Sequence, residues 1–311
     1  MPELPEVETT ARELNRLVKG RRIVDVWTEY KSAYWRGKEE IKNPKYFLRF
    51  KKAVIGSRIV GASRRAKNVL IHLDGKHTIL VHMKMTGHLL VGPYKFHKKD
   101  KKWRTTAKGP LTDPFNQYIR LVFTLDDGRH LALSDLRKFA KVALLETASA
   151  EESTHLKNLG PDALDSSLTP KTFSVRISRR PKLAIKTALI DQEAIAGIGN
   201  IYSDEALWRA KINPETPVGS VSIVSMKILF KAVREVLTKG LDFGGDSMSD
   251  YRRPDGTPGK FHLTHTVYQR KGEPCLRRSC RTLIVRKVVN GRSAHFCPRC
   301  QVAPRKRKGG R

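Results

Sequence analysis

Acidic residues, cysteines and long apolar runs are all scarce in this sequence. Its 311 residues include 30 Asp and Glu against 61 Lys and Arg, which gives a net charge of +31. No apolar run approaches the roughly 18 residues that span a bilayer, and no signal peptide precedes Pro2, so neither a membrane protein nor a secreted one is expected. These absences predict a cytoplasmic protein, and the length predicts two domains rather than one.

The excess of basic residues indicates the kind of partner. An imbalance of this size, with a pI near 10.3, is the electrostatic footprint of a protein that binds a polyanion, most often nucleic acid. An anionic membrane surface is the competing partner.

The few cysteines form one cluster near the C-terminus, at Cys275, Cys280, Cys297 and Cys300. Two cysteine pairs at this spacing can close a tetrahedral zinc site from two hairpin knuckles, and four thiolate ligands leave no open position. The pattern therefore predicts one structural Zn²⁺ that performs no Lewis-acid catalysis. The alternative is four unbound thiols.

The first ten residues, MPELPEVETT, place a proline directly after the initiator methionine. Removal of Met1 would give Pro2 a free secondary amine, and an α-amine (pKa ~7.8) is far less protonated at neutral pH than a lysine (pKa ~10.4). Such an amine condenses with an aldehyde to a cationic iminium, and Glu3 beside it can move protons. The alternative is a plain helix start, because Pro5 and the acidic residues suit the first turn of a helix over about residues 5–19.

The remainder of the first half predicts strands. Short apolar runs between residues 21 and 95 indicate an antiparallel sandwich or flattened barrel, with hairpin signals at Asp74-Gly75 and Asp127-Gly128. Residues 95–116 are basic and rich in breakers, which predicts a long surface loop, solvated or disordered. A supplementary DNA contact is the alternative for this loop.

The second half changes to helical periods. Residues 159–170 are a turn-rich connection, and an apolar face from Ile223 to Leu237 predicts a helix that ends at Gly240. Short strands return around the cysteines. The predicted domains are a β-sandwich domain at 2–158, a helical domain at 159–261, a zinc finger at 262–301 and a basic tail at 302–311.

PELPEVET and the segment CRTLIVRKVVNGRSAHFCPRCQ resemble the formamidopyrimidine-DNA glycosylase family, and the resemblance extends over roughly residues 2–301. It implies an α+β fold: an N-terminal helix with an antiparallel β-sandwich domain, then a helix–two-turns–helix domain with a C-terminal β-hairpin zinc finger. It also implies a bifunctional DNA glycosylase and abasic-site lyase that excises oxidised purines, a monomer acting on double-stranded DNA in the cytoplasm and associated with the nucleoid. In this family the N-terminal proline attacks the sugar C1′ and the next glutamate is a proton donor, roles that would fall on Pro2 and Glu3.

Two cations are implied to act beside the reacting sugar. Arg292, in GRSAHF, would clamp a phosphate and assist elimination, and Lys67, in SRRAKN, would donate a proton or clamp a phosphate. Asn200, in AIAGIGNIYSDEALW, would bind phosphate at a helix N-terminus, with Arg180 and Lys182 as further backbone contacts. The plain alternatives are a surface arginine, a solvated basic turn and an ordinary helix cap.

A flipped nucleotide leaves a gap in the duplex that the protein must fill. Met85, Arg137 and Phe139 match the residues that the family inserts, since an apolar wedge with an arginine suits an unstacked step. Core packing is the alternative for Met85 and Phe139. Tyr118 and Arg120 stand near the place of a family histidine that binds DNA, and they are predicted to substitute for it.

YRRPDGTPGKF, residues 251–261, resembles the family's loop that closes over the flipped base, and its glycines and prolines fit a mobile lid. Two other functions stay open. The same enzyme class could act on oxidised pyrimidines. A zinc-ribbon DNA-binding protein without catalysis would explain the charge and the cysteines, although not Pro2-Glu3.

Overall fold

A computed structural model describes residues 1–32, 34 and 38–303. The chain forms two compact units, Met1–Lys157 with Gly240–His262, and Asn158–Lys239 with the chain from Leu263 onward. The predicted boundaries after residues 158, 261 and 301 stay predictions, and residues 304–311 of the predicted tail lie outside the described residues. None of the described helices is long and apolar enough to cross a membrane.

The described part of the first unit is a β-sandwich with the α-helices Leu4–Leu17 and Pro44–Val54. Its helices and strands are, in chain order, α1 (Leu4–Leu17), β1 (Ile23–Thr28), α2 (Pro44–Val54), β2 (Ile59–Arg65), β3 (Asn68–Leu73), β4 (His77–His82), β5 (Gly87–Gly92), β6 (Tyr94–His97), β7 (Lys102–Thr105), β8 (Ile119–Leu125), β9 (His130–Asp135) and β10 (Lys141–Glu146). One sheet has the order β1-β8-β9-β5 and the other β10-β4-β3-β2, and all pairs are antiparallel. One apolar core contains buried side chains from both sheets and both helices, and a smaller apolar cluster includes Leu90, Tyr94 and Val122.

The apolar pattern explains how these elements meet. Val7, Leu14 and Val18 are completely buried, so the predicted helical face of α1 lies in the core. The predicted hairpins are confirmed, because β3 pairs with β4 across Asp74-Gly75 and β8 pairs with β9 across Asp127-Gly128.

Two expectations for this unit are wrong. The stretch predicted as strands contains a helix, α2, which begins after the N-cap Asn43 and buries Tyr46, Phe50 and Val54 at four-residue spacing. The predicted loop 95–116 is also structured. Its first part forms the hairpin β6–β7, in which the Trp103 ring lies 5.5 Å from that of Phe96 and 6.1 Å from that of Trp27.

The second unit is helical and ends in a small hairpin. Its elements are α3 (Pro170–Ile177), α4 (Ile185–Leu189), α5 (Asn200–Arg209), α6 (Ile223–Asp242, whose last residues belong to the first unit), β11 (Val285–Val289) and β12 (Arg292–Phe296). The predicted helix from Ile223 is confirmed and ends two residues after Gly240. Together, the sandwich, the helical unit and the cysteine-bearing hairpin confirm the predicted α+β fold class.

Candidate functional site

The N-terminal dipeptide lies at the start of α1. Pro2 and Glu3 are buried, and the Glu3 backbone N–H donates to Glu6 Oε2 at 2.7 Å. This capping bond confirms that a helix starts here, and it fixes the backbone directly after Pro2. The other oxygen, Glu6 Oε1, accepts from the Asp246 N–H at 2.7 Å. One carboxylate therefore joins the N-terminus to the segment 240–262 of the same unit.

Lys67 lies in the two-residue turn between β2 and β3, where Ala66 adopts a left-handed φ of 54°. Lys67 is only 6% exposed. Its basic neighbours contact carboxylates: Arg64 Nε is 2.8 Å from Glu8 and Arg65 Nε is 3.1 Å from Glu151. Burial opposes ionisation of Glu8, but hydrogen bonds from Arg12 and Arg64 outweigh it and lower the pKa of Glu8. Arg64 and Arg65 of this turn thus have acidic partners.

A positive environment surrounds the Lys67 turn. Burial, followed by the charges of Lys84, Lys67 and Lys141, lowers the pKa of His82 to about 3. His82 is therefore neutral at pH 7, and its Nδ1 accepts a hydrogen bond from the Lys84 N–H at 3.0 Å. Three lysines thus lie near one neutral histidine, and the Glu40 carboxylate interacts with two of them, Lys84 and Lys141.

Met85, Arg137 and Phe139, here called the wedge cluster, lie together in the first unit. Arg137 Nη1 lies 3.3 Å from Met85 Sδ, and its guanidinium carbon lies 4.5 Å from the centre of the Phe139 ring. Met85 is 42% exposed and Phe139 is 47% exposed, which excludes core packing for both. Two exposed apolar side chains around an arginine have the chemistry to replace a stacked base.

Asp135, which was not among the predicted site residues, holds this cluster. Its completely buried carboxylate accepts from Thr86 Oγ1 at 2.6 Å, from the Tyr30 hydroxyl at 2.9 Å and from the Ala140 N–H at 2.8 Å. Thr86 Oγ1 in turn accepts from the Arg137 N–H at 3.1 Å. The only signal in the sequence was an aspartate at the end of an apolar strand, beside the wedge residues.

Arg120 and Tyr118 lie near this loop but differ in their contacts. The Arg120 guanidinium contacts the Glu29 carboxylate, and its Nε donates to the Asp135 carbonyl at 3.1 Å. Glu29 also contacts Lys138 Nζ at 2.9 Å; burial would raise the pKa of Glu29, but the hydrogen bonds from Arg120 and Lys138 outweigh it and lower that pKa. Arg120 therefore supports the wedge loop through Glu29, while Tyr118 is half-buried at the start of β8.

Three predicted phosphate ligands lie in the second unit. Asn200 begins α5 after the N-cap Gly199, and its buried Oδ1 has no hydrogen-bond partner among the described residues. Arg180 and Lys182 are exposed in the connection between α3 and α4, and Arg180 Nη1 lies 3.4 Å from Asp191. The helix N-terminus at Asn200 suits an anion.

The four cysteines meet as predicted. Their sulfur atoms all lie within 4.8 Å of one another, the Sγ atoms of Cys280 and Cys297 are 3.5 Å apart, and all four are free thiols. A Zn–S distance of about 2.3 Å places tetrahedral sulfurs roughly 3.8 Å apart, so the cluster fits one zinc ion. Arg292 is exposed at the first position of β12, directly after the Asn290-Gly291 turn.

Comparisons with known proteins agree with this geometry. Family models match the formamidopyrimidine-DNA glycosylase N-terminal domain at residues 1–142, its H2TH domain at residues 159–252, and the zinc finger found in FPG and IleRS at residues 272–302. The last match and the cysteine geometry establish one structural zinc site.

Relatives match along the whole chain. The formamidopyrimidine-DNA glycosylase of Bacillus subtilis is 36% identical over 302 residues, covering 97% of this chain and 99% of that protein. The Chloroflexus aggregans protein of the same name is 38% identical over 308 residues, with 97% and 99% covered. The solved complex of Lactococcus lactis Fpg with DNA containing an abasic site has a TM-score of 0.80 at 30% identity, with 96% and 99% of the two chains covered. The solved structure of MutM (Fpg) from Thermus thermophilus gives 0.77 at 33% identity, with 97% and 100% covered.

Proposed function

Because this chain belongs to the formamidopyrimidine-DNA glycosylase family, we propose that it is a bifunctional DNA glycosylase and abasic-site lyase of base excision repair. Its substrate is double-stranded DNA that contains oxidised purines, namely formamidopyrimidine or 8-oxoguanine, or abasic sites. It works as a monomer in the cytoplasm, associated with the nucleoid. The relatives' names and the net charge of +31 support this assignment.

The reaction begins at the N-terminus. The Pro2 nitrogen, exposed by removal of Met1, attacks the sugar C1′, and the damaged base leaves with the bonding electrons and a proton. The C1′–O4′ bond then opens, O4′ takes up a proton, and the nitrogen lone pair forms the C1′=N⁺ bond of the iminium. The resulting iminium is an electron sink that acidifies the neighbouring C2′–H. Loss of that proton expels the 3′ phosphate, and a second elimination expels the 5′ phosphate. Glu3 moves protons at the sugar.

The other predicted residues position the DNA. Lys67 and Arg292 hold phosphates beside the reacting sugar, and Asn200, Arg180 and Lys182 bind the backbone further along. The wedge cluster fills the gap left by the flipped nucleotide, and Tyr118 and Arg120 flank it. Zinc, when bound by the four cysteines, stabilises the hairpin that carries Arg292 and leaves no position for substrate.

One observation carries this proposal: a buried Pro2-Glu3 dipeptide at the start of α1, in a chain whose relatives match over 97% of its length. The test is borohydride trapping of purified protein on duplex DNA with one abasic site, after intact-mass measurement of the Met1 state. We expect the mature protein to lack Met1 and to form a trapped complex, and Pro2→Gly to trap poorly.

Pro5→Ala is the matched control, because Pro5 occupies the same helix start without bearing the terminal amine. Equal trapping by wild type and Pro2→Gly would overturn the Pro2 assignment. A panel of duplexes with single oxidised purines or pyrimidines, each followed by strand cleavage, tests the substrate class. Absence of strand cleavage on every duplex would leave only a DNA-binding protein.

A further inference from the structure

Residues 110–117, here called the clamp segment, contact residues 246–259, here called the site loop, within the first unit. We propose that the clamp segment holds the site loop in place beside Pro2-Glu3 and thereby positions the damaged base for excision; this rests on the proposed function. Asp113 and Asn116 are thus positioning residues. From the sequence, this part of the chain was expected to be a solvated insertion and the loop a mobile lid.

The first connection is between Asp113 and Arg252. Arg252 is 7% exposed, and its Nε lies 3.0 Å from Asp113 Oδ2. Its Nη1 donates to the carbonyls of Ser249 and Tyr251, both at 2.8 Å, and its guanidinium carbon lies 4.7 Å from the centre of the Phe115 ring. The guanidinium therefore joins the loop backbone to a carboxylate and an aromatic ring of the clamp segment.

The second connection passes through Asn116. This side chain is 1% exposed, and its Nδ2 donates to the Pro110 carbonyl at 2.9 Å and the Gly256 carbonyl at 3.3 Å. Gly256 has a φ of +88°, and a Cβ there would lie 2.8 Å from backbone atoms of Pro110 and Leu111. Only glycine allows both this conformation and this approach, so the loop and the clamp segment are complementary in shape.

The opposite side of the site loop contacts α1. The Asp246 N–H donates to Glu6 Oε1 at 2.7 Å, and Glu6 Oε2 accepts from the Glu3 N–H. The Tyr251 hydroxyl donates to the Glu6 carbonyl at 3.0 Å. The loop is therefore bounded by the proposed reactive N-terminus on one side and by the clamp segment on the other.

This placement has a consequence for the two chemical steps. Excision requires the base and sugar to be oriented together at Pro2, and a small misplacement lowers the rate strongly. An abasic sugar carries no base to orient. Loosening the site loop should therefore slow base excision while leaving cleavage at an abasic site nearly unchanged.

The test compares Asp113→Ala with the control Asp100→Ala, which removes an exposed carboxylate that pairs with Arg104 in the β6–β7 hairpin. Single-turnover excision at saturating protein is measured on an 8-oxoguanine duplex, and strand cleavage is measured on an abasic duplex. We expect Asp113→Ala to slow excision about tenfold, abasic cleavage to stay within about twofold, and the control to match wild type.

Two further measurements separate positioning from general stability. Hydrogen exchange in peptides from residues 249–259 should increase in Asp113→Ala and stay constant in Asp100→Ala, and Asp113→Glu should recover part of the excision rate. If Asp113→Ala does not fold, Asp113→Asn is judged by the same criteria. Equal slowing of both reactions, or no change in either, overturns the clamp. A wild type inactive on both duplexes would instead overturn the proposed function.

Discussion

Two β-hairpins carry the cations that we assign to the phosphates beside the sugar, and they are stabilised in different ways. The β2–β3 hairpin bears Lys67 and belongs to a four-stranded sheet whose Val69 and Ile71 are completely buried. The β11–β12 hairpin bears Arg292 and has only two strands, beside the cysteine cluster. A two-stranded hairpin alone is marginally stable in water, whereas a metal site can supply its folding energy.

In the proposed mechanism, a hydrophobic core supports the cation of one hairpin and a metal ion supports the cation of the other. Lys67 is nearly buried in its turn, so its orientation follows from the sandwich. Arg292 is exposed after the Asn290-Gly291 turn, where φ values of 45° and 75° suit that dipeptide. Substitution of Lys67 by a side chain of another shape should therefore be poorly tolerated, and the position of Arg292 should depend on bound zinc.

Zinc removal is expected to have the largest effect. Chelation, or Cys297→Ser, should lower strand cleavage more than about a hundredfold, because a structural zinc contributes roughly 10–16 kcal/mol to the folding of small zinc modules. Hydrogen exchange should increase in β11 and β12 and stay unchanged in β2 and β3. Zinc content is measured alongside. If β11 and β12 keep their protection from hydrogen exchange in the zinc-free protein, the hairpin does not depend on zinc.

Substitution of the two cations is the second test. Lys67→Ala and Arg292→Ala should each slow strand cleavage about a hundredfold, since each removes a cation that we propose to hold a phosphate beside the reacting sugar. Arg292→Lys should restore part of the rate because Arg292 is exposed, whereas Lys67→Arg should restore little because Lys67 is only 6% exposed. Single-turnover rates measure both. Equal rescue at the two positions would show that the hairpins do not differ in rigidity.

Substitutions in the wedge cluster, which lies in the first unit, should have a smaller effect on the rate. Phe139→Ala should slow excision from duplex DNA about tenfold, because the flipped state loses its stacking partner, and should matter little on single-stranded DNA carrying the same lesion. Asp135→Asn should behave similarly, since it weakens the carboxylate that holds the loop. Exposed Leu48, distant in sequence on α2, provides the control Leu48→Ala. A duplex rate unchanged in Phe139→Ala would rule the wedge out.

A pH effect on the sandwich is the smallest expected change. Burial lowers the pKa of His88 to about 4, and its Nε2 shares a hydrogen bond with Asn116 Oδ1 at 2.9 Å. Between pH 6.5 and 4 the unfolded chain binds a proton that folded His88 does not. Stability therefore falls as the pH falls through this window, by at most roughly 3 kcal/mol from this residue.

Urea unfolding of wild type and His88→Gln at several pH values measures this contribution. His88→Gln should be less stable at pH 7 but should lose less stability than wild type as the pH falls through the same window. Parallel pH profiles for the two proteins would show that His88 does not contribute.

Local signals in the sequence predicted much of the fold. The helical period of α1, the Asp-Gly turns and the cysteine spacing depend on residues close in the chain, and each is confirmed. Helix α2 was missed although Asn43, Pro44 and the spacing of Tyr46, Phe50 and Val54 were visible signals. The hairpin β6–β7 had a weaker signal, because its lysines hide an aromatic pair whose partner, Trp27, is distant in the chain.

By itself, the sequence determined most of the elements, the metal ligands and, through resemblance, the residues expected to act on DNA. Only the tertiary structure decided which of them share a surface. Asp135 holds the wedge loop, and Glu6 joins the N-terminus to Asp246. Asn116 contacts Gly256, which lies 140 residues away in the sequence. Such contacts depend on the sandwich bringing distant strands and loops together, and no local period or spacing encodes them.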